Sequence, residues 1–267
     1  MAQSLPPSSF ARAVDAISGQ RIITSAQGLE ALDVRIPTRH GEMPAYLARP
    51  EKKSDLPIIL VAQEIFGLHE HIKDIARRFA ARGYLAIAPD YFFRVGDPLT
   101  AADIPAIREI VAKAPDAEAM SDLDSALAFA AECGGDASRA AVVGFCWGGR
   151  MAWLYAAHNQ RLRAAIPCYG RLDGERTQNQ PRWPLDIANE LKVPSLGLYG
   201  GADPSIPLDQ VKEMRALLLA AKAPAELIVY DDAPHAFFAD YRESYRAGPA
   251  ENGWSRMLDF LRGQGVA

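Results

Sequence analysis

The hydrophobic positions of this chain change rhythm as it proceeds. Two strand-like segments, residues 32–36 and 43–47, flank the turn sequence Thr38-Arg39-His40-Gly41, which predicts an antiparallel hairpin at a sheet edge. The pattern then gives way to unbroken apolar runs. Pro57-Ile58-Ile59-Leu60-Val61-Ala62 contains no polar residue, the mark of a strand covered on both faces. Ile72, Ile75, Ala76, Phe79 and Ala80 follow at helical spacing, and Gly83 ends that helix. Residues 84–88 predict the next buried strand, closed by Pro89, and two helical segments follow at about 102–113 and 118–133. Strand and helix continue to alternate. Strands are expected at 140–143, 164–167, 194–199 and 225–230, and helices at 148–158, 208–221 and 248–262, the last with Trp254, Met257, Leu258 and Leu261 on one face. This alternation predicts a mainly parallel sheet of about eight strands flanked by helices. Residues 171–189 are polar and interrupted by proline, as expected of an excursion over the C-terminal edge of the sheet, where such folds keep their sites. Residues 1–30 are expected to be an N-terminal arm, the first 20 forming a surface segment or a short helix, and residues 31–267 one domain.

Composition narrows the function classes. The chain has 267 residues, 49% hydrophobic and 23% charged, with a formal net charge of −4. That is an ordinary globular mixture. It offers no basic patch and no basic–aromatic interleaving for nucleic acid. Cys133, Cys146 and Cys168 form no C-x-x-C pair, so neither a disulfide framework nor a structural zinc site is expected. No apolar run approaches the roughly 20 residues needed to cross a bilayer. A cytoplasmic protein without membrane partners is the expectation. The oligomeric state stays open, with a monomer carried forward.

One run carries chemistry. Ala140-Ala141-Val142-Val143 leads into Gly144-Phe145-Cys146-Trp147-Gly148-Gly149-Arg150. This has the form of a nucleophile elbow, G-x-S-x-G, with cysteine in place of serine. Small residues must flank the nucleophile because strand and helix crowd the turn. The helix that starts here points its positive end at Cys146 and favours the reactive thiolate. A free cysteine can also be an inert buried side chain, so its partners matter. Asp203 follows the strand predicted at 194–199, and His235 follows the strand at 225–230. Nucleophile, acid, histidine is the chain order of α/β-hydrolases. His235 would move protons, and Asp203 would fix its tautomer. Asp231 and Asp232 are rival acids but lie too close in sequence to reach the far side of His235. His40, His69, His71 and His158 follow no comparable strand and are read as surface or loop residues.

The first buried strand ends in Gln63-Glu64-Ile65-Phe66-Gly67. A loop here would supply an oxyanion donor, the Ile65 N–H, beside the Trp147 N–H. Two such donors are worth several kcal/mol of barrier, roughly 3 each. Glu64 could accept the thiol proton or hold the thiol neutral until needed.

These motifs resemble the dienelactone hydrolases (carboxymethylenebutenolidases). The matching pieces are residues 62–67, Ala88-Pro89-Asp90-Tyr91-Phe92-Phe93-Arg94, the 144–149 elbow, Gly200-Gly201-Ala202-Asp203-Pro204 and His235-Ala236-Phe237. The resemblance covers residue 30 to the C-terminus. It implies a Cys146, Asp203, His235 triad with Glu64 as a switch: the glutamate holds the resting thiol, is displaced through an arginine when a substrate anion binds, and then takes the thiol proton. Arg94 matches that arginine, and Tyr169 matches an aromatic lining the site. The family's second substrate-binding arginine lies four residues after the histidine, where this chain has Ala239; Arg242 and Arg246 are the nearby alternatives. The expected protein is an α/β-hydrolase that opens small activated lactones or esters through a cysteine acyl-enzyme, with no metal and no organic cofactor. The alternatives are a broad-range carboxylesterase for neutral esters and a non-catalytic binding protein on the same scaffold.

Overall fold

The computed structural model describes residues 21–267; residues 1–20 of the expected arm lie outside the described residues. Eight strands form one sheet: β1 (Leu29–Thr38), β2 (Gly41–Pro50), β3 (Leu56–Ala62), β4 (Leu85–Pro89), β5 (Gly135–Phe145), β6 (Ala164–Cys168), β7 (Ser195–Gly200) and β8 (Ala225–Tyr230). Their order across the sheet is β1-β2-β4-β3-β5-β6-β7-β8. The first two form the expected antiparallel hairpin, with Leu32 opposite Leu47 and Ile36 opposite Met43. β2 also runs antiparallel to β4, and the remaining pairs are parallel. Every residue of β3, β4, β6 and β7 is buried, whereas the edge strand β1 is mostly exposed or half-buried. Periodicity therefore separated central from edge strands, because only a strand covered twice needs apolar residues on both faces.

The helices are α1 (Glu70–Ala80), α2 (Ile104–Ala112), α3 (Asp116–Glu132), α4 (Trp147–His158), the short α5 (Pro184–Ile187), α6 (Leu208–Ala221) and α7 (Ala247–Gly263). Strand order places them. The chain steps one way from β3 to β4 through α1, and the opposite way through α3 to β5 and through α4 to β6. Right-handed crossovers then put α1 on one face and α3 and α4 on the other. Phe79 of α1 meets Trp254 of α7, ring centroids 4.7 Å apart, so α7 shares the α1 face. This is an α/β-hydrolase fold. Among the described residues no helix is long and apolar enough to cross a membrane.

Register is what builds a site. Ala62 lies opposite Gly144, Gly144 opposite Pro167, Cys168 opposite Leu198, and Gly200 opposite Tyr230. The parallel strands thus end nearly level, and the segments that follow them emerge along one edge. Residues 171–189, which follow β6, are irregular as far as the single turn of α5.

Candidate active site

Between β5 and α4 a single residue, Cys146, makes the turn, with φ 56° and ψ −115°. A non-glycine residue in such a conformation costs on the order of 1–3 kcal/mol and persists only where its surroundings over-determine it. Here the Cys146 N–H donates to Cys168 O at 3.0 Å, and Cys146 O accepts from Gly149 N and Arg150 N. The glycines are steric necessities. A Cβ on Gly144 would lie 1.9 Å from Gly148 O, and one on Gly148 would lie 2.1 Å from Ala62 O.

Two loops bring partners to the sulfur. His235 Nε2 is 3.2 Å from Cys146 Sγ, and His235 Nδ1 is 2.6 Å from Asp203 Oδ2. The other Asp203 oxygen accepts from the Ser205 N–H at 2.7 Å. The loops are pinned to each other, since Gly201 N donates to Tyr230 O and Ala202 N to Ala233 O. Asp231 and Asp232 are exposed, and the carboxylate on His235 is that of Asp203. Burial works to lower the His235 pKa. The negative charge at Cys146, the hydrogen bonds to Asp203 and Cys146, and the charge of Asp203 overcome it and push it up to about 10. The imidazole therefore holds its proton strongly. Cys168 is buried, and its thiol is pushed up by that burial.

Ile65 follows β3, and Trp147 is the first residue of α4. Among the described residues neither N–H donates to a backbone carbonyl or a side chain. The Trp147 ring is packed by Tyr91 and Phe92, at 5.4 and 5.0 Å between centroids. Tyr169 is fully buried at φ 37°, with its ring edge-on to His235 at 5.3 Å and its hydroxyl without a protein partner. Arg94 makes a two-pronged pair with Asp122, at 3.0 and 2.5 Å, and stacks over Phe93; its donors are committed there.

Glu64 is fully buried. Its Oε2 accepts from the Tyr241 hydroxyl at 2.7 Å and lies 3.3 Å from His69 Nε2, while Oε1 is buried without a partner among the described residues. No hydrogen bond joins it to Cys146 among the described residues; the thiol faces His235 instead. Burial works to raise the Glu64 pKa, but the hydrogen bond to His69 and the positive charge of His69, His71 and Arg242 outweigh it and bring it to about 2. Burial depresses the His69 pKa, and the bond and charge of Glu64 restore part of that loss.

The sequence reading of His69 and His71 as surface or loop residues holds only in that His69 lies in the loop before α1; both are buried, 7% and 3% exposed, and packed against Tyr241 at 5.1 and 5.0 Å between ring centroids. His71 Nδ1 is 3.3 Å from Asp240 Oδ1, and Arg78 pairs with the other oxygen of Asp240. Tyr241 went unnoticed in the sequence. Its signal was the run Asp240-Tyr241-Arg242 soon after His235, opposite the His69-Glu70-His71 run that starts α1. Of the two later arginines, Arg246 is exposed and donates to Glu243 O and Tyr245 O. Arg242 is half-buried over the Phe66 ring at 5.4 Å, close enough that the charges of Glu64, Tyr241 and Cys146 raise its pKa against burial. It makes no ion pair among the described residues. No cluster of three or more His, Cys, Asp or Glu side chains suited to a metal occurs among the described residues.

Comparison with known proteins fixes the family. The sequence profile of the "Dienelactone hydrolase family" matches residues 43–264. The chain belongs to the dienelactone hydrolase family. It is 52% identical over 261 residues to an Escherichia coli K12 protein named "Putative carboxymethylenebutenolidase", covering 97% of this chain and 96% of that protein. A Bradyrhizobium protein named "Probable 2-oxo-3-(5-oxofuran-2-ylidene)propanoate lactonase" is 32% identical over 220 residues, 82% of this chain and 88% of that one. Among solved structures, a "Putative Dienelactone Hydrolase" from Klebsiella pneumoniae superposes with a TM-score of 0.86 at 53% identity, over 88% of this chain and 98% of that one. As a member of this family the chain is a hydrolase of ester or lactone bonds.

Proposed function

We propose that this hydrolase opens small, activated lactones through an acyl-thioester on Cys146, and that the substrates it takes best carry a carboxylate. The observation that carries this reading is the continuous line Sγ–His235–Asp203, with steps of 3.2 and 2.6 Å, at a residue held in a strained turn.

The proton accounts close as follows. When a substrate anion pairs with Arg242, part of the positive charge that holds Glu64 ionised is compensated. Glu64 then takes the proton of the Cys146–His235 pair on Oε1, the oxygen without a partner. The thiolate attacks the lactone carbonyl. An S–C bond forms, and the carbonyl electron pair moves to an oxygen held by the Ile65 and Trp147 N–H groups. Collapse breaks the ring C–O bond and leaves an enolate, which takes the proton back from Glu64. Water then gives a proton to His235, adds to the thioester and expels the thiolate. The sulfur and the imidazole share that proton again, and the acid leaves. A thiol suits enol-lactones because an enolate is a good leaving group. Tyr169 lines the site beside His235, and Arg94 backs its wall from the Asp122 pair. The Bradyrhizobium relative's name, a lactonase of a propanoate, is in keeping with an anionic lactone substrate.

A second reading, a carboxylesterase for neutral esters, is favoured by Ala239 and by the commitment of Arg94 to Asp122. The test is hydrolysis of an anionic enol-lactone and of a neutral chromogenic ester during titration with iodoacetamide. The proposal expects both activities to vanish with alkylation of one thiol, Cys146, and kcat/KM to favour the anionic lactone. Activity that survives full alkylation of Cys146 defeats it. A preference for the neutral ester selects the second reading.

A further inference from the structure

Outside the sulfur relay, the most unusual feature of the molecule is a group of ionisable side chains buried beside it. Glu64, His69, His71 and Asp240 are each less than a tenth exposed, and Tyr241 stands among them. The groups facing Glu64 are His69 from the loop after β3, His71 from α1, Tyr241 and Arg242 from the segment after His235, and Tyr169 from the sheet edge, and both Tyr169 and Tyr241 also feel the charge of Cys146. Only two of them hydrogen-bond to it. Both go to the same oxygen, Oε2, while Oε1 has no partner among the described residues. Tyr241 is itself held, its ring packed against both histidine rings. His71 Nδ1 lies 3.3 Å from Asp240 Oδ1 as a charge contact without hydrogen-bond geometry, and Asp240 pairs with Arg78, which also binds Asp74 at 2.6 Å. The Tyr241 hydroxyl is thus aimed by a buried chain that ends in α1.

We propose that Tyr241, with His69, is a positioning residue for Glu64: its hydrogen bond to Oε2 keeps the carboxylate from taking the proton of the Cys146–His235 pair until a substrate anion engages Arg242. This deepens the reading above and rests on it. The physical basis is that a donor bonded to a carboxylate favours the ionised form and so lowers its basicity. A phenol fully in place does this without carrying charge. Fixing Oε2 also leaves Oε1 as the oxygen on which the proton travels. Without the donor, a larger fraction of the empty enzyme would carry the proton on Glu64. The sulfur would then be a thiolate freed from its imidazole partner, and open to any electrophile.

The test reads alkylation, not turnover. The rate of Cys146 carbamidomethylation by iodoacetamide at neutral pH, without substrate, is compared in wild type, Tyr241→Phe, Glu64→Gln and the double variant, with melting temperature as the fold control. Tyr241→Phe should react about tenfold faster, the size of one hydrogen bond to a charged group. The same change should have no effect in the Glu64→Gln background, because glutamine takes no proton. His69→Gln, with a longer contact to replace, should react about threefold faster and provides the test if Tyr241→Phe folds poorly. A rate that is unchanged or slower, or that rises equally in both backgrounds, overturns the proposal. Hydrolysis separates the two levels: undiminished kcat in Glu64→Gln would remove Glu64 from the reaction whatever the alkylation rates.

Discussion

Two groups of ionisable side chains meet at one edge of the sheet, and they are built differently. The Cys146–His235–Asp203 line is made by loops at strand ends, and its members are spaced by topology. The Glu64–Tyr241–His71–Asp240–Arg78 group is made by the loop after β3, by both ends of α1 and by the irregular segment after His235. The first holds a proton strongly, with His235 raised; the second repels one, with Glu64 and Asp240 lowered. Opposite proton affinities set side by side are how one site keeps a base and an acid distinct. The first group is expected to govern rate and the second to govern stability and timing.

The largest effect should come from the first group. Cys146→Ala is expected to lower hydrolysis by at least about 10³-fold, the scale of losing a covalent nucleophile, while the chain still folds cooperatively. Cys146→Ser should keep only weak activity. A serine variant as fast as wild type would break the comparison, since Glu64 would then be irrelevant to the choice of thiol. Next comes the second group. Arg78→Ala leaves Asp240 buried with one fewer cation and should cost about 3 kcal/mol of unfolding free energy by denaturant titration. If that variant loses rate but not stability, the division of labour is wrong. Arg242→Ala should raise KM for an anionic lactone about tenfold, one charge-assisted contact, and leave KM for a neutral ester alone. Equal changes for both would move anion recognition elsewhere.

The pH dependence of stability sharpens the contrast. His235 is raised from 6.5 to about 10, so the stability it contributes is complete below pH 6.5 and is lost as pH rises through about 10. Glu64 is lowered from 4.5 to about 2, so its contribution is present above pH 4.5 and is lost as pH falls through about 2. Denaturation across pH should therefore show His235→Gln flattening the alkaline limb and Glu64→Gln the acid limb. A swap of those limbs would refute the assignment of opposite affinities. The smallest effect is expected at Arg94, where Arg94→Gln should cost only a few-fold in kcat/KM because its donors already serve Asp122.

What the sequence made legible follows the same division. The buried strands announced themselves because covering both faces forbids polar residues in them. The elbow did so because only glycines fit beside it, and chain order then named Asp203 and His235, which lie in a line with Cys146. β5 was read too short: its first residues, Gly135-Asp136-Ala137-Ser138-Arg139, are small or polar and form no apolar run. The structure pairs Gly135 and Asp136 with Leu56 and Pro57 ahead of a register shift. His69 and His71 were read as surface because nothing in a local pattern distinguishes a solvated histidine from one buried against a tyrosine some 170 positions away. Arg242 stayed level with Arg246 for the same reason. Where an irregular segment folds back decides which arginine is half-buried, and no periodicity encodes that.

The central claim is a covalent step at one sulfur, and it can be weighed directly. His235→Gln, which should acylate but stall before water attacks, is mixed with an enol-lactone, quenched in acid and measured by intact mass, then digested. The account predicts a gain equal to the mass of the whole lactone, because ring opening expels no fragment, located on the peptide that contains Cys146. No adduct while the wild-type enzyme turns the lactone over, or an adduct on another residue, would contradict it.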